Sequence, residues 1–197
     1  MGDLSRHAWE PLLAPLASAL LPALLDSLYG SHVALCMNAC WALGELCARA
    51  TLPAAAAQEA AGRLKRILCR DHDGQLLRNV AITLCRLAPA CPALLAATLH
   101  ETAAYWLPPL ATIKPGPDRD RSHEVLLRLL LVSPPVALAQ LPRLCALLHS
   151  WGKLPLPGPV RALAKELFGL LMKSPEWPKK WQAVAPDIQQ YVQSHLQ

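Results

Sequence analysis

Three polar residues recur at a fixed step: Asn38, Asn79 and Asp120 stand 41 residues apart. Three positions after each come Trp41, Ile82 and His123. An amide or carboxylate can bond the backbone or side chain of a neighbouring element, so Asn38, Asn79 and Asp120 suit an inter-repeat ladder. A Trp beside an Ile offers an apolar slot, with the Asn groups at its edge. The other reading is that Trp41 only packs between repeats, and the residues alone leave both open. The polar series lapses at Ala162. The chain has no Gly-x-Ser-x-Gly, no phosphate-cradling glycine loop and no His-Glu-x-x-His. His123-Glu124 and Asp71-His72-Asp73 read as helix-surface or turn residues. No catalytic residue, no cofactor and no enzymatic activity are expected.

Seven cysteines, Cys36, Cys40, Cys47, Cys69, Cys85, Cys91 and Cys145, contain no Cys-x-x-Cys pair. A structural zinc needs four suitably spaced ligands, and His72 near Cys69 finds no second pair. Free, buried thiols in a reducing compartment are expected, and no metal. Net charge is +5. Lys65, Arg66 and Arg70 form one basic cluster and Lys179 and Lys180 another; both read as solvated helix faces. Aromatic rings are not interleaved with them, so direct nucleic-acid binding is not expected.

These positions must be held by helices. Hydrophobic residues make up 53% of the 197, led by Leu and Ala, with a single Phe, a composition that favours helix. The 19 prolines exclude one long helix. Mean hydropathy is +0.25, yet the longest stretch without Asp, Glu, Lys or Arg, Ser27 to Gly44, is broken by Gly30, Ser31, His32 and Asn38. A span needs about 20 apolar residues, so no membrane segment is expected. The N-terminus lacks a secretory layout, and a soluble intracellular protein is the expectation.

Proline and glycine punctuation predicts helices near 9–28, 32–50, 54–70 and 75–87. A fifth opens at Pro92 and should end before Pro108-Pro109. A loop from Lys114 to Asp120 should lead to a sixth near 121–132. A seventh runs from Ser133-Pro134-Pro135 to about Trp151, and an eighth spans about 160–172. The last segment, Pro175 to Leu196, should break near Pro186. The first helix carries the stripe Leu12, Leu13, Leu16, Leu20, Leu24 and Leu28. No run alternates as a strand would.

Self-similarity at about 40–47 residues in helical sequence marks stacked HEAT or armadillo pairs. Asn38-Ala39-Cys40-Trp41-Ala42-Leu43 aligns with Asn79-Val80-Ala81-Ile82-Thr83-Leu84, and Gly2-Asp3-Leu4 with Gly44-Glu45-Leu46. The expected fold is all-α, an α-α superhelix (solenoid) of about four to five HEAT repeats. Residues 1–8 would be the tail of an incomplete repeat, 9–174 the array and 175–197 a capping helix segment. A repeat cut short leaves an apolar edge, so self-association is expected.

The run Val33 to Glu45, with Asn-Ala-x-Trp-Ala-x-Gly-Glu from Asn38, resembles the last third of transportins, nuclear import receptors of the importin-β (karyopherin-β) group. Leu76 to Leu87, Ala90-Cys91-Pro92, Val132-Ser133-Pro134 and Trp177 with the amphipathic tail resemble the family in the same order. The resemblance implies a receptor segment that shuttles between cytoplasm and nucleus. Its concave face would bind cargo carrying proline-tyrosine nuclear localisation signals, and nucleoporins would be partners. The Ran GTPase site would lie in an N-terminal half beyond this chain. A family Trp and Ile that help hold the signal's upstream epitope match Trp41 and Ile82, and neighbouring Asn positions match Asn38 and Asn79. Two departures bear on this. The family is acidic whereas this chain is basic, with Arg78 at a position that tends to be acidic, and Met37 replaces a second Asn. The other class of function is a HEAT scaffold or regulatory subunit without a transport role.

Overall fold

Leu- and Ala-rich stretches punctuated by proline fold into helices, and no strand occurs among the described residues. The computed structural model describes residues 10–196 apart from 31, 51 and 71, without the side chains of 10–14 and 16–18. In order the helices are α1 Glu10–Ser27, α2 Val33–Arg49, α3 Ala54–Leu68, α4 Gly74–Leu87, α5 Pro92–Ala111, α6 Pro117–Val132, α7 Pro134–Ala139, α8 Leu141–His149, α9 Gly158–Leu171, α10 Trp177–Gln182 and α11 Pro186–Leu196. This is the all-α helical-repeat class the sequence predicts. The Gly2-Asp3-Leu4 match and the side chains of Leu12, Leu13 and Leu16 lie outside the described residues.

Local chemistry sets the helix ends. Asp73 caps α4, its carboxylate accepting from the N–H groups of Gln75 (2.8 Å) and Leu76 (3.3 Å). It thereby satisfies two of the donors that a helix start leaves open. Gly116, at φ 153°, turns the chain into α6 in a conformation that L side chains rarely adopt. Pro117 then opens the helix, with Asp118 and Asp120 in the first turn against the positive end of the dipole. The polar loop is therefore shorter than its composition predicts.

Two further boundaries differ from the sequence reading. α5 continues through Pro108 and Pro109 to Ala111, because Leu107 and Leu110 are fully buried there and packing outweighs the lost backbone donors. The seventh helix is two, α7 and α8, separated at Gln140. Pro142 cannot donate and its ring clashes with the preceding turn. The tail breaks before Pro186 as expected, and Gln189 Nε2 closes the break by donating to the carbonyls of Trp181 (2.8 Å) and Val184 (2.9 Å).

The chain divides into two compact units, one reaching Leu95 and the other starting at Ala96. In the first, α1 packs on α2, α3 on α4, and most extensively α2 on α4. Its core joins Leu24 and Leu28 to Leu43, Leu64, Val80 and Leu84. The buried face of α3 is small in its first half, with Ala57, Ala60 and Ala61, and bulky in its second, with Leu64, Ile67 and Leu68. In the second unit α6 packs on α9, and α8 on α11. Trp177 and Trp181 stack at 5.1 Å, with Phe168 meeting both edge-on.

Candidate functional site

The surface with the strongest sequence signal is built by α2 and α4, and two polar links fix how these helices lie. Thr83 Oγ1 donates to the Cys40 carbonyl at 2.9 Å. Arg86 Nη1 donates to Glu45 Oε1 at 2.8 Å, across a sequence separation of 41 residues. Both links join a later residue of α4 to a later residue of α2, so the helices run parallel in register. Gly44 makes this closeness possible. A Cβ there would lie 2.9 Å from Thr83 Oγ1 and 3.2 Å from Arg86 Nη1, too near for either group to stay in place.

That register puts Ile82 level with Trp41, one helical turn before the Glu45–Arg86 pair. Both side chains are half-buried, Asn38 is exposed and Asn79 half-buried. Asn38 and Trp41 stand about one turn apart on α2, as Asn79 and Ile82 do on α4. Asn79 Oδ1 accepts from Gln75 Nε2 at 3.0 Å, and Arg78 Nη2 donates to Gln75 Oε1 at 2.7 Å, two bonds within α4. Thr83, Glu45 and Arg86 make the polar links between the helices described above. These were not singled out in the sequence, although Glu45 and Arg86 are opposite charges at the same 41-residue step. Glu45 retains 6% of its side-chain exposure and Arg86 13%; a charge left unpaired at such a site is costly.

The third position in the series behaves differently. Asp120 is half-buried in the first turn of α6, but His123 is fully buried in the second unit, not on a helix surface. Trp151 Nε1, which can only donate, reaches His123 Nδ1 at 3.0 Å. Nδ1 therefore accepts, and Nε2 carries the proton toward the Leu110 carbonyl at 3.1 Å. Burial pushes the imidazole down to about 4; the Leu110 carbonyl opposes this and Arg119 adds to it. The Arg119 guanidinium lies over the Trp151 ring at 3.7 Å. His123 is thus a core group locked by two partners and adds nothing to an apolar slot. Glu124 pairs with Arg128 Nη2 at 2.8 Å.

The seven cysteines are free, five of them buried and Cys47 and Cys69 half-buried. Burial pushes the Cys47 and Cys145 thiols up to about 12, and such thiols are inert. Among the described residues no three His, Cys, Asp or Glu side chains gather to hold a metal. No helix among them is long and apolar enough to cross a membrane.

No family model matches the chain. Transportin-1 of Mus musculus and Transportin-1 of Homo sapiens are each 25% identical to it over 153 residues, 77% of this chain. That supports a distant relationship to the karyopherin, HEAT-repeat family. The matched part spans 17% of the length of either relative.

Proposed function

We propose that this chain is a cargo-binding segment of a transportin-like nuclear import receptor. It would take nuclear localisation signals of the proline-tyrosine type on the α2–α4 face and shuttle between cytoplasm and nucleus, with nucleoporins as further partners. The observation that supports it is the register that sets Ile82 level with Trp41, both half-exposed. A half-exposed Trp next to an aliphatic side chain is a favourable anchor for an apolar residue of an extended peptide. Asn38 and Asn79 at the edge supply amide groups able to bond the peptide backbone. The likeness to Transportin-1 adds to this, and makes a transport receptor the better reading than an enzyme.

The test is titration of a fluorescein-labelled proline-tyrosine signal peptide with a hydrophobic upstream epitope. Trp41→Ala with Ile82→Ala is expected to weaken binding about tenfold, or about 1.4 kcal/mol, while the fold is retained by circular dichroism. A folded chain that ignores the peptide at high micromolar concentration refutes the reading. The net positive charge favours a second reading, a HEAT scaffold outside transport, because basic signals would be repelled. A fluorescent fusion that fails to gather at the nuclear envelope, and partners indifferent to Trp41→Ala, would establish that alternative.

A further inference from the structure

The basic cluster noted in the sequence is more than a solvated helix face. In the first unit a cleft of about 340 Å³ opens where the α1–α2 turn meets the last turns of α3 and the start of α4. That volume is at the lower end of ligand-binding clefts, about 300–1,000 Å³. Leu28, Ile67 and Leu76 are buried side chains of its wall. Arg63 and Arg66, one turn apart on α3, and Arg70, just past the end of that helix, line it.

The three guanidinium groups are not equivalent. Arg63 is held by Asp26 Oδ1 at 3.2 Å and by Glu59, so its charge is compensated. Its guanidinium carbon and that of Arg66 lie 4.3 and 5.5 Å from the centre of the Tyr29 ring. Among the described residues no carboxylate pairs with Arg66 or Arg70, both of which are exposed. Guanidinium forks match a carboxylate or phosphate through two parallel N–H bonds. Tyr29 and Val33 add exposed apolar surface to the lining, at 57% and 44% of full exposure.

We propose that this cleft is a docking site for an anionic peptide segment of a partner protein. An acidic side chain, a carboxylate or a phosphorylated serine, would pair with Arg66 and Arg70, and an adjacent apolar side chain would enter against Leu28, Ile67 and Leu76. A nucleic acid fits less well. Its backbone has no use for an apolar wall, and the one exposed ring at the cleft, Tyr29, is already engaged by two guanidinium groups instead of being open for stacking. The site shares none of its lining with Asn38, Trp41, Asn79 or Ile82, and does not depend on the transport reading.

The experiment uses the whole chain and fluorescence polarisation of a labelled peptide with two adjacent glutamates beside a leucine. Parallel arms are the same peptide with glutamines, its phosphoserine form, and a single-stranded oligonucleotide of equal length. Binding of the acidic peptide at least tenfold tighter than the glutamine peptide is expected. A tenfold loss in Arg66→Gln/Arg70→Gln, with no loss in the control Arg143→Gln, which is not among the cleft's lining residues, is expected too, each variant checked for native melting. Tighter binding of the phosphoserine form assigns the natural ligand to phosphopeptides, and equal binding assigns it to carboxylates. Equal affinity for acidic and glutamine peptides, an unaffected double variant, or preference for the oligonucleotide would overturn the proposal.

Discussion

A neutral imidazole is what allows Trp151 to donate to His123. Protonation would leave Nδ1 without a lone pair, set two N–H groups against each other and place a cation near Arg119, which is itself 3% exposed. The ring therefore stays neutral until far below its ordinary range, to about 4. The unfolded chain binds this proton near pH 6.5 and the folded chain does not. Stability is thus complete above about pH 6.5, falls as pH drops toward 4, and levels off below that. A shift of this size corresponds to roughly 3 kcal/mol at most. His123→Gln is expected to lower stability at pH 7 and to flatten the decline between pH 6.5 and 4.5, read from urea midpoints across that range. A variant whose profile runs parallel to the natural chain would show that His123 does not govern it.

At the scale of elements, the closeness of α2 and α4 rests on Gly44. Adding a methyl there gains about 1 kcal/mol of helix propensity. It also forces Thr83 Oγ1 off the Cys40 carbonyl or pushes Arg86 away from Glu45, and overpacking of this kind costs about 1–3 kcal/mol. Gly44→Ala is expected to be net destabilising, and less so in a Thr83→Ala background, where the atom at 2.9 Å is gone. The coupling in such a cycle should exceed about 0.5 kcal/mol; strict additivity in thermal melts would refute this account of the interface. Much of this pairing was legible in the sequence. The 41-residue step gave the repeat, and the same step relates Glu45 to Arg86. Helix starts were legible where a single residue decides them, as at Asp73. They were misread where packing competes with propensity, as at Pro108-Pro109, or where one proline divides an apolar run, as at Pro142. His123 was misplaced because equal spacing fixes a face of a helix but not what covers it. The cleft was missed for a related reason: Arg66 lies on α3 and Arg70 just beyond its end, whereas Tyr29 comes from a turn distant in the sequence.

For the molecule as a whole, the excess of 19 Lys and Arg over 14 Asp and Glu gives a net charge of +5. A field of that sign slows the approach of cationic peptides and speeds that of anionic ones. Raising ionic strength from about 10 mM to about 150 mM shrinks the Debye length from about 30 Å to about 8 Å and removes most of this long-range term. The two proposed surfaces should therefore respond to salt with opposite signs. Association of a signal peptide with a basic upstream epitope is expected to accelerate with salt, and that of the acidic peptide to slow. A signal peptide with a hydrophobic epitope should change little, because its contact with Trp41 and Ile82 is apolar. Stopped-flow rates at several salt concentrations measure all three. Slowing of the basic peptide would mean that acidic groups near the α2–α4 face outweigh the net charge, and basic signals would then become the favoured cargo. Slopes of the same sign for the basic and acidic peptides would refute the assignment of oppositely charged ligands to the two faces.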